Sequence, residues 1–413
     1  MKSTLRTKIL KSLTSWGIVA LFTVALLEGV LRIIAERTEN SVQLLGKRWY
    51  YLAPPDVPEK MPSIESNPGD YRTYDPDLGW SIRSLGKESQ DLIGQGKVEL
   101  YYSNEFGYRC GQDTYLAAVA RTAAEGAPPS DETDYKFVCI GDSFTHGDAV
   151  QFEESWPAYL QEITGTPIAN LGVGGYGIDQ AVLRYQKKNP RCIHVLLGLI
   201  AGDLERATHL IYNFPYGGLK SKPIFRFTDA GTEIENRPAL YGNALQDEYE
   251  KGAESEFFQQ ADHSWNLSIV RRDFFDFSYC YRLTRSIGHW YRDRTSTALY
   301  RDDSPRLDYC IDILKYLKTF ADTRNAKVTV IILGSANSFP EKEDGTDNWE
   351  LFKSLLDESE IPWIDTSPEI HAMYKKDPRS VINSGDGLHY TPEANRTVAE
   401  IVAEHFTPKP ARD

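Results

Sequence analysis

The sequence predicts an α/β protein built on a parallel, doubly wound sheet. Over the C-terminal two thirds of the chain, short apolar runs alternate with segments that have the apolar spacing of helices. The apolar runs are bounded by polar or glycine residues, which is typical of strands that are buried on both faces. The joints between strands and helices are short, and this alternation favours a parallel sheet with crossover helices.

Each element of the prediction follows from a local pattern. The predicted strands are Tyr135–Ile140, Pro167–Leu171, Cys192–Ile200, Val328–Leu333 and Pro362–Asp365. The predicted helices are Phe152–Ile163, Ile178–Lys188, Leu307–Ala321, Trp349–Leu356 and Thr391–Phe406. The last helix has a clear start, because Thr391 is a good N-cap residue, Pro392 fits the first helical position and Glu393 is an acid in the first turn.

The N-terminus predicts a membrane anchor over residues 1–35. Four basic residues precede an apolar run from Trp16 to Ile34, which is long enough to cross a bilayer as a helix. Glu28 and Arg32 are four residues apart and can pair near its end. No small-residue cleavage site follows the run, so an uncleaved single span is expected, and the preceding basic residues place the rest of the chain outside the cytoplasm, in the periplasm or at the cell exterior. The alternative is an amphipathic or buried helix of a soluble protein.

The remaining chain divides into an accessory region and a larger domain. Residues 36–133 are polar and punctuated by Pro and Gly, so we expect short strands and turns that form a small accessory layer, followed by a linker at about 123–130. The domain at 134–408 carries the α/β alternation. It is interrupted by an insert at about 204–300 that has no regular pattern.

Composition and charge exclude several functions. The 413 residues carry a formal net charge of −13, and no basic stripe is present, so we expect no nucleic-acid partner. The insert has no glycine-rich phosphate loop. The five cysteines show neither a Cys-x-x-Cys pair nor Cys/His ligand spacing, so we expect no metal and no cofactor. The sequence leaves open whether two of these cysteines form a disulfide.

Three residues in the order Ser, Asp, His predict nucleophilic catalysis. Ser143 follows the first predicted strand in the run Gly141-Asp142-Ser143, and this turn presents its hydroxyl at the carboxyl edge of the sheet. Asp386 and His389 precede the last helix, three residues apart. The carboxylate can accept the Nδ1–H of the imidazole and leave Nε2 to face a hydroxyl. The sequence therefore predicts Ser143, His389 and Asp386 as catalytic residues.

These motifs resemble those of the SGNH (GDSL) hydrolases. The runs 141–145, 170–175 and 386–389 are similar to the first, second and last sequence blocks of that family. The resemblance covers roughly residues 135–205 and 325–405. It implies a three-layer α/β/α, flavodoxin-like domain that hydrolyses or transfers acyl groups through Ser143, with the N–H groups of Ser143 and Gly175 in the oxyanion hole.

The third block departs from the family. Its members usually carry Gly-x-Asn-Asp, and the Asn amide is an oxyanion donor; here the matching run is Ile200-Ala201-Gly202-Asp203, so Gly202 stands in the place of the Asn. Three outcomes stay open at this point. The N–H of Gly202 or a water substitutes for the amide, an Asn from the insert reaches the site, or activity is low.

The resemblance implies a membrane-anchored serine esterase that removes acyl groups, most simply acetyl, from a surface or extracellular polysaccharide. Other polysaccharide-modification proteins would be its partners. Two alternatives stay open: an O-acetyltransferase that uses the same three residues, and a non-catalytic glycan-binding protein with a degenerate oxyanion hole. A metal-dependent phosphoesterase is disfavoured, because no Asp/His ligand cluster is visible.

Overall fold

The chain folds into two compact units. The computed structural model describes residues 2–38, 41–44, 47–49, 70–92, 96–126, 130–212, 220–251, 254–260, 274–275, 277–285, 287, 305–335 and 349–407. The first unit comprises Met1–Met61, Asn213–Lys220 and Asn243–Ser296, and the second comprises Pro62–Tyr212, Ser221–Gly242 and Thr297–Asp413. Parts of the expected accessory region at 36–133 and of the insert at 204–300 lie outside the described residues.

The described elements alternate as an α/β protein requires. The main helices are α1 (Lys2–Ile34), α2 (Gln112–Glu125), α3 (Ser143–His146), α4 (Trp156–Thr164), α5 (Ile178–Lys188), α6 (Ala201–Ala207), α7 (Gly242–Lys251), α8 (Glu256–Gln260), α9 (Pro305–Asp322), α10 (Glu350–Glu358), α11 (Ser367–Lys376) and α12 (Pro392–Phe406). The strands are β1 (Ala35–Thr38), β2 (Ser41–Leu44), β3 (Lys47–Trp49), β4 (Arg72–Asp75), β5 (Gly79–Ile82), β6 (Lys87–Leu92), β7 (Gly96–Ser103), β8 (Arg109–Cys110), β9 (Tyr135–Gly141), β10 (Ile168–Asn170), β11 (Cys192–Leu199), β12 (Ile211–Tyr212), β13 (Lys220–Ser221), β14 (Ile224–Thr228), β15 (Gly231–Glu235), β16 (Lys327–Ile332) and β17 (Trp363–Asp365).

The second unit is built on an eight-stranded, mostly parallel sheet. Its strand order is β17-β16-β11-β9-β10-β8-β7-β6. The five strands from β17 to β10 are parallel. From β9 the chain moves to β10 on one side and then returns to β11 on the other. This reversal makes β9 the topological switch point, where open α/β sheets bind ligands at the carboxyl ends of their strands.

The predicted fold class is confirmed by how the strands are buried. Along β9, Val138 and Ile140 belong to the core cluster that contains helices α5, α9 and α10. Phe137 and Cys139, which alternate with them, belong to the cluster that contains α4 and α12. Because successive strand residues point to opposite faces, the sheet is covered by helices on both sides, as a three-layer α/β/α arrangement requires.

Three strands of the expected accessory region extend this same sheet. Strand β8 pairs antiparallel with β10 through Arg109 and Asn170, and β7 and β6 continue the sheet outward. Arg109 is buried, and its guanidinium donates hydrogen bonds to the carbonyls of Leu100 (2.7 Å) and Val150 (3.0 Å). Residues 87–110 therefore share one sheet with the residues that follow 134.

The part of the insert that belongs to the second unit has a buried ion pair with helix α5. Lys222 lies just after β13, and its ammonium contacts the carboxylate of Asp179 in the first turn of α5. Both side chains are completely buried. Desolvation raises the pKa of Asp179 and lowers the pKa of Lys222. The pair connects the insert to a helix that follows the second sequence block.

The first unit contains the apolar N-terminal helix. Thr14–Ile34 within α1 is long and apolar enough to span a membrane, and only 6% of its most apolar window is buried. A signal sequence would have the same length and composition. Leu31 packs against Tyr279, Cys280 and Leu283 of the same unit. The expected pair forms, with Glu28 and Arg32 2.8 Å apart.

All five cysteines are free thiols in the structure.

Candidate active site

The turn after β9 places Ser143 at the switch point. Asp142 is the N-cap of α3, and its carboxylate accepts a hydrogen bond from the N–H of Phe144 at 2.8 Å. Gly141 has a positive φ of 149°, and a Cβ there would clash with the carbonyl oxygen of Gly198 and with Thr145. Only glycine fits this close approach of β9 to β11. Ser143 therefore begins the helix, and its N–H is one of those that a helix leaves without an intrahelical partner.

The structure brings the three predicted catalytic residues together. Nε2 of His389 lies 2.8 Å from Oγ of Ser143, and Nδ1 of His389 contacts Oδ2 of Asp386. Oδ1 of Asp386 accepts the N–H groups of Leu388 (3.0 Å) and His389 (3.1 Å), so the turn itself holds the carboxylate in place. The result is a continuous Ser–His–Asp hydrogen-bond chain.

The surroundings of this hydrogen-bond chain shift the pKa values of His389 and Asp386 in opposite directions. Burial alone would lower the pKa of His389, but the hydrogen bond to Asp386 and the negative charges of Asp148, Asp386 and Asp142 outweigh it and raise the pKa. The pKa of Asp386 is lowered, because the bonds from the imidazole and from two backbone N–H groups outweigh burial, which raises it. An ionised Asp386 selects the tautomer of His389 with the proton on Nδ1, and Nε2 can then accept the proton of Ser143.

A second histidine lies close to Ser143 but is not free to act as a base. Nδ1 of His146 lies 2.5 Å from Oδ1 of Asp148, and its Nε2 lies 2.6 Å from the hydroxyl of Tyr71. Burial lowers the pKa of His146 to about 4, so the ring is neutral. It then donates from Nδ1 and accepts the Tyr71 hydroxyl at Nε2. Both ring nitrogens are occupied, so His389 is the available base.

The N–H of Gly175, the second predicted oxyanion donor, is oriented by a residue that precedes the sheet domain in sequence. Trp80 on β5 donates its indole N–H to the carbonyl of Gly174 at 3.1 Å. In a trans peptide the carbonyl and the following N–H point in opposite directions, so this bond turns the N–H of Gly175 away from Trp80. Gly175 has a φ of 81°, and a Cβ there would lie 2.5 Å from the hydroxyl of Tyr212. The hydroxyl of Tyr176 donates back to the carbonyl of Trp80 at 2.6 Å.

Gly202 lies in the first turn of α6, directly after β11. It is not among the residues with positive φ, so its backbone conformation would accept a side chain without strain. A Cβ at Gly202 would have ordinary contacts only, at 3.6 Å and 3.7 Å from Nη2 and Cζ of Arg206. The space beside this glycine is therefore occupied by a guanidinium.

Arg206 is the charged group that the sequence did not single out. Its Nη1 lies 3.0 Å from Oδ2 of Asp142 and 2.5 Å from Oδ1 of Asp203. The same oxygen of Asp142 accepts a longer bond, 3.3 Å, from Oγ of Ser143. The i, i+3 spacing of Asp203 and Arg206 on a helix could have indicated their pairing. No sequence spacing indicates that this pair reaches the Ser143 turn on the neighbouring strand.

Among the described residues, no group of three or more His, Cys, Asp or Glu side chains could hold a metal ion.

Comparison with known proteins gives matches among solved structures only. No family model matches the chain, and no curated protein matches it. Solved structures of GDSL lipases and esterases are similar to it. A GDSL-like lipase from Bacteroides thetaiotaomicron is 13% identical, with 70% of this chain and 97% of the lipase covered and a TM-score of 0.29.

Two esterases give similar values. A psychrotrophic esterase from Pseudoalteromonas sp. is 11% identical, with 66% of this chain and 97% of the esterase covered and a TM-score of 0.31. A catalytic mutant of an acetylxylan esterase from Geobacillus stearothermophilus is 10% identical, with 68% of this chain and 97% of the esterase covered and a TM-score of 0.34. At these values the likeness carries no argument about activity, which rests on the residues of the site.

Proposed function

We propose that this chain is a serine ester hydrolase of the SGNH type. The observation that carries the proposal is the hydrogen-bond chain from Ser143 through His389 to Asp386, placed at the switch point of a parallel sheet. A serine, a histidine base and an orienting carboxylate in this geometry are the parts that nucleophilic acyl chemistry requires.

The geometry supports a two-step reaction. Oγ of Ser143 attacks the ester carbonyl while its proton moves to Nε2 of His389, and Asp386 stabilises the imidazolium that results. The negative oxygen of the tetrahedral intermediate faces the N–H groups of Ser143 and Gly175. Collapse of this intermediate breaks the ester bond, and His389 returns the proton to the leaving alcohol. Water then attacks the acyl-enzyme by the same route and releases the carboxylic acid.

The substrate class that we propose is an acetyl ester on a surface or extracellular polysaccharide. This part rests on the resemblance of the sequence motifs alone. The test is release of acetate from p-nitrophenyl acetate and from acetylated xylan by the purified full chain, with an added unacetylated glycan as acceptor. Acetate in solution supports hydrolysis, and acetyl groups on the acceptor would indicate an O-acetyltransferase. If no ester is turned over and no serine reacts with a fluorophosphonate, the glycan-binding alternative replaces the enzyme.

We also propose that α1 anchors the protein in a membrane with the sheet domain outside the cytoplasm. The exposed apolar span at Thr14–Ile34 and the basic residues before it support this orientation. A reporter that is active only outside the cytoplasm, fused after residue 60, is expected to be active. Activity of a cytoplasm-only reporter at the same junction would contradict the orientation, and a mature chain that begins after residue 30 would contradict the anchor.

A further inference from the structure

The guanidinium of Arg206 contacts the sequence neighbours of the residues expected in the oxyanion hole. It contacts the carboxylate of Asp142, the residue before Ser143, and the carbonyl of Tyr176, the residue after Gly175, the latter at 3.3 Å. Its Nη2 lies 3.6 Å from the position that a Cβ would take at residue 202.

The hydrogen bonds of Arg206 use only one of its two terminal nitrogens. Among the described residues, its hydrogen bonds all use Nη1, to Asp142, Asp203 and the carbonyl of Tyr176. Nη2 lies on the side of Gly202, and the side chain is one quarter exposed. A guanidinium carries five N–H groups in a rigid fork, so fixing one nitrogen also fixes the direction of the other.

Because Gly202 has no side chain, the space beside it is open to the guanidinium of Arg206. A Cβ at residue 202 fits, and it would lie 3.6 Å from Nη2 of Arg206, so a longer side chain in that direction would meet the guanidinium. An asparagine amide and the guanidinium are therefore alternative occupants of one place beside the site.

We propose that Arg206 is a catalytic residue whose Nη2 donates to the developing oxyanion, in the place where the family has the Asn amide. The inference rests on the proposed esterase function. A charged donor at this position would stabilise the tetrahedral intermediate more than the ester ground state, so its loss should appear in kcat.

The test is a double-variant cycle between positions 202 and 206 in the full chain. Arg206→Lys keeps the positive charge beside Asp142 and Asp203 but removes the second nitrogen. It is expected to lower kcat on a small acetyl ester by ~10²-fold, with KM and the melting temperature changed little. Gly202→Asn should raise kcat at least ~10-fold in the Arg206→Lys background and less than about 3-fold in the wild type.

The outcomes of this cycle separate the possibilities. If Arg206→Lys retains kcat within about twofold, or if Gly202→Asn changes kcat by the same factor in both backgrounds, Arg206 does not contact the oxyanion and the proposal is overturned. Failure of the esterase function itself is distinguishable, because the wild-type chain would then show neither turnover nor labelling of Ser143.

An independent observation concerns the first unit, where α1 binds a segment of the insert. The carboxylate of Glu28 accepts the N–H groups of Tyr279 and Cys280 and the hydroxyl of Ser278, each at 2.9 Å. Arg32 donates to the carbonyl of Phe277 at 2.5 Å. A carboxylate within an apolar span is costly unless it is paired, and here its oxygens are bonded to this segment and to Arg32.

Three aromatic rings next to this segment are exposed. Phe274, Phe275 and Phe277 are 83%, 56% and 66% exposed, and the ring of Phe274 contacts the other two, with centroids 5.6 Å and 5.9 Å away. Glu28 lies six residues before the end of α1 at Ile34, about 9 Å along the helix axis. The segment bound to Glu28 therefore lies beside the apolar part of the helix.

We infer that this phenylalanine cluster (Phe274, Phe275 and Phe277) inserts into the lipid interface beside α1. The inference rests on the proposed anchoring, and the occupant is lipid because the segment is hydrogen-bonded to the span itself. Exposed aromatic rings gain free energy when they leave water for the boundary between headgroups and acyl chains.

The test is photolabelling of the full chain in phosphatidylcholine vesicles with an apolar diazirine. The peptide that contains the phenylalanine cluster should be labelled several-fold more than the peptide around Leu116, an exposed leucine on α2 (54%). Changing all three phenylalanines to serine should remove this excess while Thr14–Ile34 stays labelled. Labelling of the cluster no higher than that of Leu116 would overturn the inference, and an unlabelled α1 would instead refute the anchor.

Discussion

Replacing Ser143 with alanine is expected to lower ester turnover by ~10⁴-fold or more, because the reaction then has no nucleophile. The protein should still fold. The hydroxyl makes one bond of 2.8 Å to His389 and a longer bond to Asp142, and their loss costs about 1 kcal/mol. Initial rates on p-nitrophenyl acetate and a thermal melt of the same preparation measure both quantities.

A buried serine outside the site is the matched control. Ser221 is buried and donates to the carbonyl of Leu240, so Ser221→Ala makes a comparable change in the same domain. It should retain turnover. A fluorophosphonate should label Ser143 in the wild type and in Ser221→Ala, and labelling that persists in Ser143→Ala would show that another residue is the nucleophile.

The second large effect concerns the pH dependence that His389 and Asp386 impose. His389 must be neutral to accept a proton, so kcat/KM should fall as the pH drops through its pKa. Because that pKa is raised, the midpoint should lie above the ~6.5 of a free histidine. Asp386→Asn removes the carboxylate that raises it, so the midpoint should move to lower pH. The same change disfavours the productive tautomer and should lower the rate by up to ~10⁴-fold.

Rates measured between about pH 4.5 and 9 check both expectations. Asp377→Asn is the control, since Asp377 is a half-exposed N-cap on the same part of the chain and, among the described residues, its carboxylate bonds only to Arg379. It should leave the profile unchanged. A flat profile for the wild type would mean that His389 is not the base.

Much of the fold could be predicted from local patterns, because its strands are buried on both faces. The strand predicted at Cys192–Ile200 corresponds to β11 (Cys192–Leu199), and the helix predicted at Leu307–Ala321 corresponds to α9 (Pro305–Asp322). Thr391 caps α12 as its sequence indicated, accepting the N–H of Ala394 at 3.2 Å. In these segments apolar spacing and capping chemistry point to the same structure.

The sheet's antiparallel side could not be predicted in the same way. Strand β6 has the sequence Lys-Glu-Ser-Gln-Asp-Leu, which carries no apolar alternation, and β8 has only two residues. Strand β8 pairs with β10, which is distant in sequence, and β6 joins the sheet only through β7. The same reason applies to Arg206 and Trp80, since each acts on a turn that belongs to another strand. Ser143, Asp386 and His389 were accessible because glycines, a helix start and a three-residue spacing mark them locally.

The strand order also governs when the sheet can be completed during synthesis. Strand β8 ends at Cys110, but its partner β10 begins at Ile168, so 57 residues must be made before the two can pair. At ~5–20 residues per second this takes roughly 3–12 s, during which the β6–β8 segment has no neighbour on its inner edge. On the other side of the sheet, β11 pairs with β16, which is synthesised only after the whole insert. A chain with such distant pairings folds slowly and exposes unpaired strand edges, so its yield in cells should depend on chaperones that shield those edges.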